Sequence, residues 1–172
     1  MPTFSVRPAS PDDAAAVAAV LQVIVSERVH SAIDRAWTVD EERAYLVSLS
    51  SREVVHVGID RSDGIVGVQT LDRWSTLDSM AHVGQVGTFI LPSHRHRGLA
   101  QTLWAATAAF ARATDYRKLV IQVRGTNENA KAFYRRIGFR ECGRLVGQVV
   151  IDGVEEDELL MESFLYGLAH TE

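Results

Sequence analysis

At 172 residues, with 47% hydrophobic and 23% charged side chains, the chain has room for one domain with a substantial core. A formal net charge of -4 gives no global attraction to nucleic acid or to an anionic membrane, so neither is expected as a partner. The single cysteine, Cys142, excludes an internal disulfide and a cysteine-built zinc site, and suits a reducing cytoplasm.

Residues 4–7 read as a short first strand. Ser10, Pro11, Asp12 and Asp13 then supply an N-cap, a proline for the first turn and acidic groups beside a helix dipole, so a helix starts there. Its buried stripe runs through Val17, Val20, Leu21 and Ile24. Residues 14–25 imitate the apolar part of a secretion signal but follow two aspartates rather than a basic leader, and no stretch reaches the roughly 18 apolar residues of a membrane span. Thr38 and Glu41 form a capping box for a second helix from Val39 to about Leu49, which presents Tyr45, Leu46 and Leu49.

Residues 54–59 and 65–71 are β-branched runs joined by turn chemistry, a hairpin. Residues 83–91 form a third run; its Gly84 and Gly87 predict a bulge or a ligand close to the backbone. A helix after Gly98 puts Leu99, Leu103, Ala106 and Phe110 on one face, and residues 119–123 return as a buried strand, completing a βαβ unit. The last helix begins near Asn127, carries Ala130, Phe133, Tyr134 and Ile137 on one face, and stops at Gly138 with Arg135 and Arg136 in its final turn. Residues 143–150 and 158–161 fit two closing strands around Asp152 and Gly153. The fold class is α+β: a mixed, largely antiparallel sheet with helices on both faces.

Chemistry concentrates between residues 90 and 100. Gly98 lets the backbone approach a ligand, and the helix start behind it offers unpaired N–H groups and a positive dipole end, a phosphate-binding arrangement to which Arg95 and Arg97 add charge. The order Arg95-x-x-Gly98-x-Ala100, preceded by Ile90-x-Pro92, resembles the acyl-CoA pyrophosphate loop of the GNAT N-acyltransferase superfamily. A second stretch, Asn127-x-x-Ala130-x-x-x-Tyr134 followed by Gly138-Phe139, resembles that family's other pattern, in the right order and separated by a helix and a strand. The likeness covers residues 82–161 well, and the amino-terminal half agrees in element order.

The resemblance implies a single GNAT domain over residues 1–172, with a six- or seven-stranded sheet and about four helices. It implies acetyl-CoA as co-substrate and transfer of its acetyl group to a primary amine of a small molecule, of amino acid or polyamine type, by direct attack in a ternary complex. The rival readings are a protein or peptide N-terminal acetyltransferase, and an acyl-CoA-sensing module without turnover. Carried over by residue, the backbone of Ile90 and Leu91 holds pantetheine, and the N–H groups of Arg95, His96, Arg97, Gly98, Leu99 and Ala100 cradle pyrophosphate with the Arg95 side chain assisting. Tyr134 is the general acid for the departing thiolate, and Asn127 caps its helix with cofactor contact as a second role. Dimerisation through edge strands is common in the resembled family.

A base is needed according to the acceptor: a lysine-like amine, pKa about 10.4, is neutral in about one molecule in 10³ at pH 7, an α-amino group in roughly one in ten. Position suggests Glu41 or His82, with Glu42 and a water-holding Gln85 also in range. Of the three tryptophans, Trp74 lies where the acceptor side is expected, while Trp37 and Trp104 read as packing. His94 and His96 flank an arginine without a third clustered ligand, so no metal is expected.

Overall fold

The computed structural model describes residues 4–166. In chain order they form β1 (Phe4–Pro8), α1 (Ala14–Ser26), α2 (Val39–Ser48), β2 (Val54–Asp60), β3 (Gly64–Arg73), β4 (Val83–Ile90), α3 (Leu99–Ala113), β5 (Lys118–Arg124), α4 (Glu128–Arg136), β6 (Arg140–Ile151) and β7 (Val154–Phe164). The seven strands make one sheet in the order β1-β2-β3-β4-β5-β7-β6. No helix of the described residues is long and apolar enough to cross a membrane.

Strand alternation sends successive side chains to opposite faces, and each face has its own helices. On one, Ala14, Val17, Val20 and Ile24 of α1 and Leu46 of α2 pack on Val55, Val57 and Val68. On the other, Trp104, Ala108 and Ala111 of α3 and Tyr134 of α4 pack on Leu71, Val86, Leu119, Ile121 and Met161. The capping box forms as expected: Thr38 Oγ1 accepts from the Glu41 N–H at 3.2 Å, and Glu41 Oε2 accepts from the Thr38 N–H at 2.8 Å. At the start of the first helix the chain makes a 3-10 turn over Pro11–Asp13 before α1 begins.

Every neighbouring pair is antiparallel except β4 with β5, the parallel pair that α3 connects. That pairing covers only Val83 with Lys118, Gly84 with Leu119 and Gln85 with Val120. Beyond Gln85, β4 continues on β3 as far as Ile90 while β5 continues on β7 as far as Arg124, and the two part. A V-shaped opening in the sheet results.

The start of α3 is fixed by a notch. Gly58 and Gly67 are register partners on β2 and β3, and a Cβ on them would lie 2.5 Å and 2.8 Å from Leu99 side-chain carbons. Bare backbone there lets Leu99, 1% exposed, sit directly on the sheet.

Three expectations need correction. Gly84 marks neither a bulge nor a ligand, because its absent Cβ makes room for Leu71 and Leu119 at 2.7 Å and 2.9 Å. The strand itself ends at Ile90, with Leu91 already in the loop. The closing strands are much longer than expected, 12 and 11 residues, and in the first of them register shifts at Glu141/Gly143 and Leu145/Val149 break the alternation on which its recognition depends.

Candidate active site

The loop from Leu91 to Gly98 turns through a left-handed residue at His96 (φ 59°) and another at Gly98 (φ 89°), the second serving as N-cap of α3. The backbone N–H groups from His96 to Ala100 have no hydrogen-bond partner among the described residues, so five donors gather at a helix start. The Arg95 N–H is engaged with the Pro92 carbonyl at 3.4 Å, which moves the beginning of the cradle to His96. Ile90 and Leu91 are also partly used: the Ile90 carbonyl accepts from Arg95 Nε at 3.0 Å, and the Leu91 N–H goes to Val66.

Arg95 is not turned outward. Its two terminal nitrogens fork onto the Glu27 carboxylate at 2.8 Å and 2.5 Å, and this bond holds Glu27 below the ordinary carboxylate range. Arg97 lies over the Phe4 ring, 3.7 Å from Asp60. Arg136, at the end of α4, is the cation lining this side of the cleft that has no carboxylate partner among the described residues. Sequence reasoning assigned it only to the helix dipole.

Two lobes meet in the sheet opening. One, about 570 Å³, runs along the loop and α4. The other, about 490 Å³, lies against β3, β4, β5 and β7. Thr88, Phe89, Asn127, Ala130 and Tyr134 line both, so Tyr134 stands at the junction. Its hydroxyl is 2.8 Å from Thr88 Oγ1, which also accepts from Gln69 Nε2 at 2.8 Å. With one lone pair occupied by Gln69, Thr88 can donate its own proton to the Tyr134 oxygen, leaving the tyrosine proton free to point into the cleft. Burial pushes the Tyr134 phenol up to about 12, so it stays protonated at any ordinary pH.

The second lobe is carboxylate-rich. Asp72 accepts from the Tyr45 hydroxyl at 2.5 Å, and Glu158 accepts from Gln122 Nε2 at 2.8 Å, with Gln85 donating in turn to Gln122 at 2.7 Å. Burial raises both carboxyls above their usual range. Neither has a cationic side chain within ion-pair distance among the described residues. The lone polar position Gln122 inside an apolar strand run, and Asp72 ending another, were the signals available in the sequence.

Residues 30–33 wall this lobe, and the stretch around them is tied down from several elements. Arg124 donates to the carbonyls of Arg28 (2.7 Å) and Ser31 (3.4 Å), and Arg28 forks onto Asp152 of the β6–β7 turn. Asn127 caps α4, accepting from the Ala130 N–H at 3.1 Å, and its amide donates to the His30 carbonyl at 3.2 Å.

The positional bases lie elsewhere. Glu41 is exposed, and its bond to Arg35 lowers it to about 2. His82 borders a separate surface depression with Arg52 and Arg117, at the far end of β4. Neither lines the cleft, because capping geometry claims the first and strand direction removes the second. Glu42 is buried on α2, where desolvation raises it to about 7. Trp74 does not line either lobe, Trp104 packs on Phe139, and Trp37 packs edge-on to Tyr45. The expectation that His94 lacks clustered ligands also fails, since the β2–β3 turn brings Asp60 and Asp63 beside it.

A family model described as "Acetyltransferase (GNAT) family" matches residues 20–139. The chain belongs to the GNAT acetyltransferase family. No curated protein matches it. Among solved structures, this acetyltransferase superposes on a GNAT superfamily phosphinothricin acetyltransferase from Sinorhizobium meliloti in complex with acetyl-CoA (TM-score 0.90, 16% identity, 99% of this chain and 92% of that one). It superposes equally on yncA of Salmonella typhimurium, solved with its cofactor acetyl-CoA (0.89, 19%, 99% and 98%). A ribosomal-protein-alanine N-acetyltransferase from Brucella melitensis is also similar (0.86, 21%, 93% and 99%). Two of these neighbours are named for different acceptors, so the shared GNAT fold does not choose one.

Proposed function

We propose that this protein transfers the acetyl group of acetyl-CoA to the primary amine of a small cationic acceptor, by direct attack in a ternary complex. The observation that carries the reading is the pair of lobes meeting at Tyr134: one offers phosphate donors, the other unpaired, desolvated carboxylates. Acetyl-CoA supplies the activated thioester. Its phosphates suit the free N–H groups from His96 to Ala100 and the Arg136 side chain, and its pantetheine arm suits the unpaired edge of β4 beyond Gln85.

Asp72 and Glu158 attract the protonated amine. Asp72 is already held by Tyr45, so it positions; Glu158 takes the amine proton. A base must be ionised to act, so with the Glu158 pKa raised by burial, kcat/KM climbs with pH through a limb above the normal carboxylate value. In Glu158→Gln protein this limb disappears and kcat/KM for the amine falls by about 10²-fold. A pH profile unchanged by the substitution removes Glu158 from this role.

Arg95 acts through Glu27 as the anchor of the loop. Both Arg95→Ala and Glu27→Ala are therefore expected to raise the KM for acetyl-CoA, with smaller effects on kcat. If Arg95 instead served the phosphates directly, freeing it in Glu27→Ala protein would lower that KM. The substrate test is CoA release from acetyl-CoA over diamines, polyamines, amino acids, aminoglycosides and short peptides. Turnover confined to cationic small amines supports the proposal, and turnover confined to peptides overturns it.

A further inference from the structure

At the edge of the loop-side lobe, which His94 also lines, the most specific unassigned cluster joins the β2–β3 turn to the first part of the loop. His94 is 3% exposed, and its Nε2 makes no hydrogen bond although carboxylates surround it. Asp63 Oδ2 is 3.1 Å away and Asp60 Oδ2 is 3.9 Å away, and one ligand atom from each of the three residues lies within 4.8 Å of the others.

An oxygen at hydrogen-bond distance from an imidazole nitrogen, yet outside hydrogen-bond alignment, is the arrangement of two ligands along one edge of a coordination polyhedron. With metal–ligand bonds of about 2.0–2.2 Å, the edges of a tetrahedral site are roughly 3.3–3.6 Å. The separations of 3.1 Å and 3.9 Å bracket that length. The opposite ring nitrogen is engaged with Ser93 Oγ at 2.9 Å, which fixes the ring orientation as an outer partner of a metal-bound histidine does. Asp60 is oriented likewise, its Oδ1 accepting from the Ser62 N–H and hydroxyl at 3.0 Å and 2.7 Å, which leaves Oδ2 for the cluster.

We propose that Asp60, Asp63 and His94 form a site for a divalent transition-metal cation of the zinc type, completed by solvent. One imidazole and two carboxylates match the borderline preference of such an ion, and two negative charges balance it. The competing positive charge is Arg97, whose Nη2 is 3.7 Å from Asp60 Oδ2 and whose side chain is 45% exposed, free to swing out as the ion enters. The ion would fasten the hairpin tip to the first part of the loop.

The test is titration of metal-free, untagged, full-length protein with Co²⁺ and Zn²⁺, read by calorimetry, by the visible absorption of bound Co²⁺ and by the shift in Tm. The expected result is one ion per chain and a Tm raised by Zn²⁺. In Asp63→Asn protein, where the changed side chain is 55% exposed and folding is preserved by circular dichroism, affinity falls more than about tenfold. His94→Gln abolishes binding, and Cys142→Ser leaves it unchanged. Absence of stoichiometric binding, or binding that survives Asp63→Asn and His94→Gln, overturns the proposal.

Discussion

Tyr134→Phe protein is expected to bind acetyl-CoA much as wild type does and to turn over about 10²-fold more slowly, the usual scale for loss of a positioned general acid. The ring remains packed against Phe133 and Phe139, so the fold survives. What is lost is the proton that Gln69 and Thr88 aim into the cleft. Because the phenol sits near 12, the alkaline side of the rate profile in wild type belongs to some other group and persists in the mutant. Thr88→Val keeps the phenol but removes its orientation, and a smaller loss is expected. Steady-state and single-turnover CoA release separate the outcomes: kcat within about twofold of wild type in Tyr134→Phe removes the residue from proton transfer.

The largest stability effect is expected from Leu99→Ala. Leu99 fills the notch over Gly58 and Gly67 and is almost wholly buried with Phe4, Val66 and Leu103. Truncating it leaves a cavity floored by bare backbone that cannot collapse, at a cost of about 2–5 kcal/mol. For a chain of this size that lowers Tm by roughly 5–15 °C. The same change loosens the first turn of α3, where the free N–H groups lie, so the KM for acetyl-CoA rises as well. Thermal unfolding followed by circular dichroism checks the first part. A Tm within about 2 °C of wild type would mean the notch is not a fixed seat.

The loop side of the cleft was legible in outline because its features are local. A glycine with positive φ, a helix start and two basic residues lie within one short segment, and Tyr134 stands at fixed spacing from Asn127 on one helix. The sheet-side lobe was not, because Asp72 and Glu158 come from β3 and β7 and meet only through sheet order and register. Position in the chain proposed Glu41 and His82, yet one is claimed by its cap and the other lies beyond the wrong end of its strand. The Arg95 side chain pointed to phosphate by composition, and only the packing of α1 against the loop revealed Glu27 as its partner. The glycines of the notch carried no signal at all, since their meaning depends on a leucine from a later helix.

The Glu27–Arg95 fork also bears on the order in which substrates enter. Glu27 leads into the stretch whose residues 30–33 wall the sheet-side lobe, and Arg95 lies in the loop that carries the free N–H groups, so one ion pair ties the two together. If the loop settles onto acetyl-CoA as proposed, it is expected to set the wall of the lobe proposed to hold the amine. Under the proposed function, such a linkage is expected to make binding ordered, donor first and amine second, which product-inhibition kinetics would check.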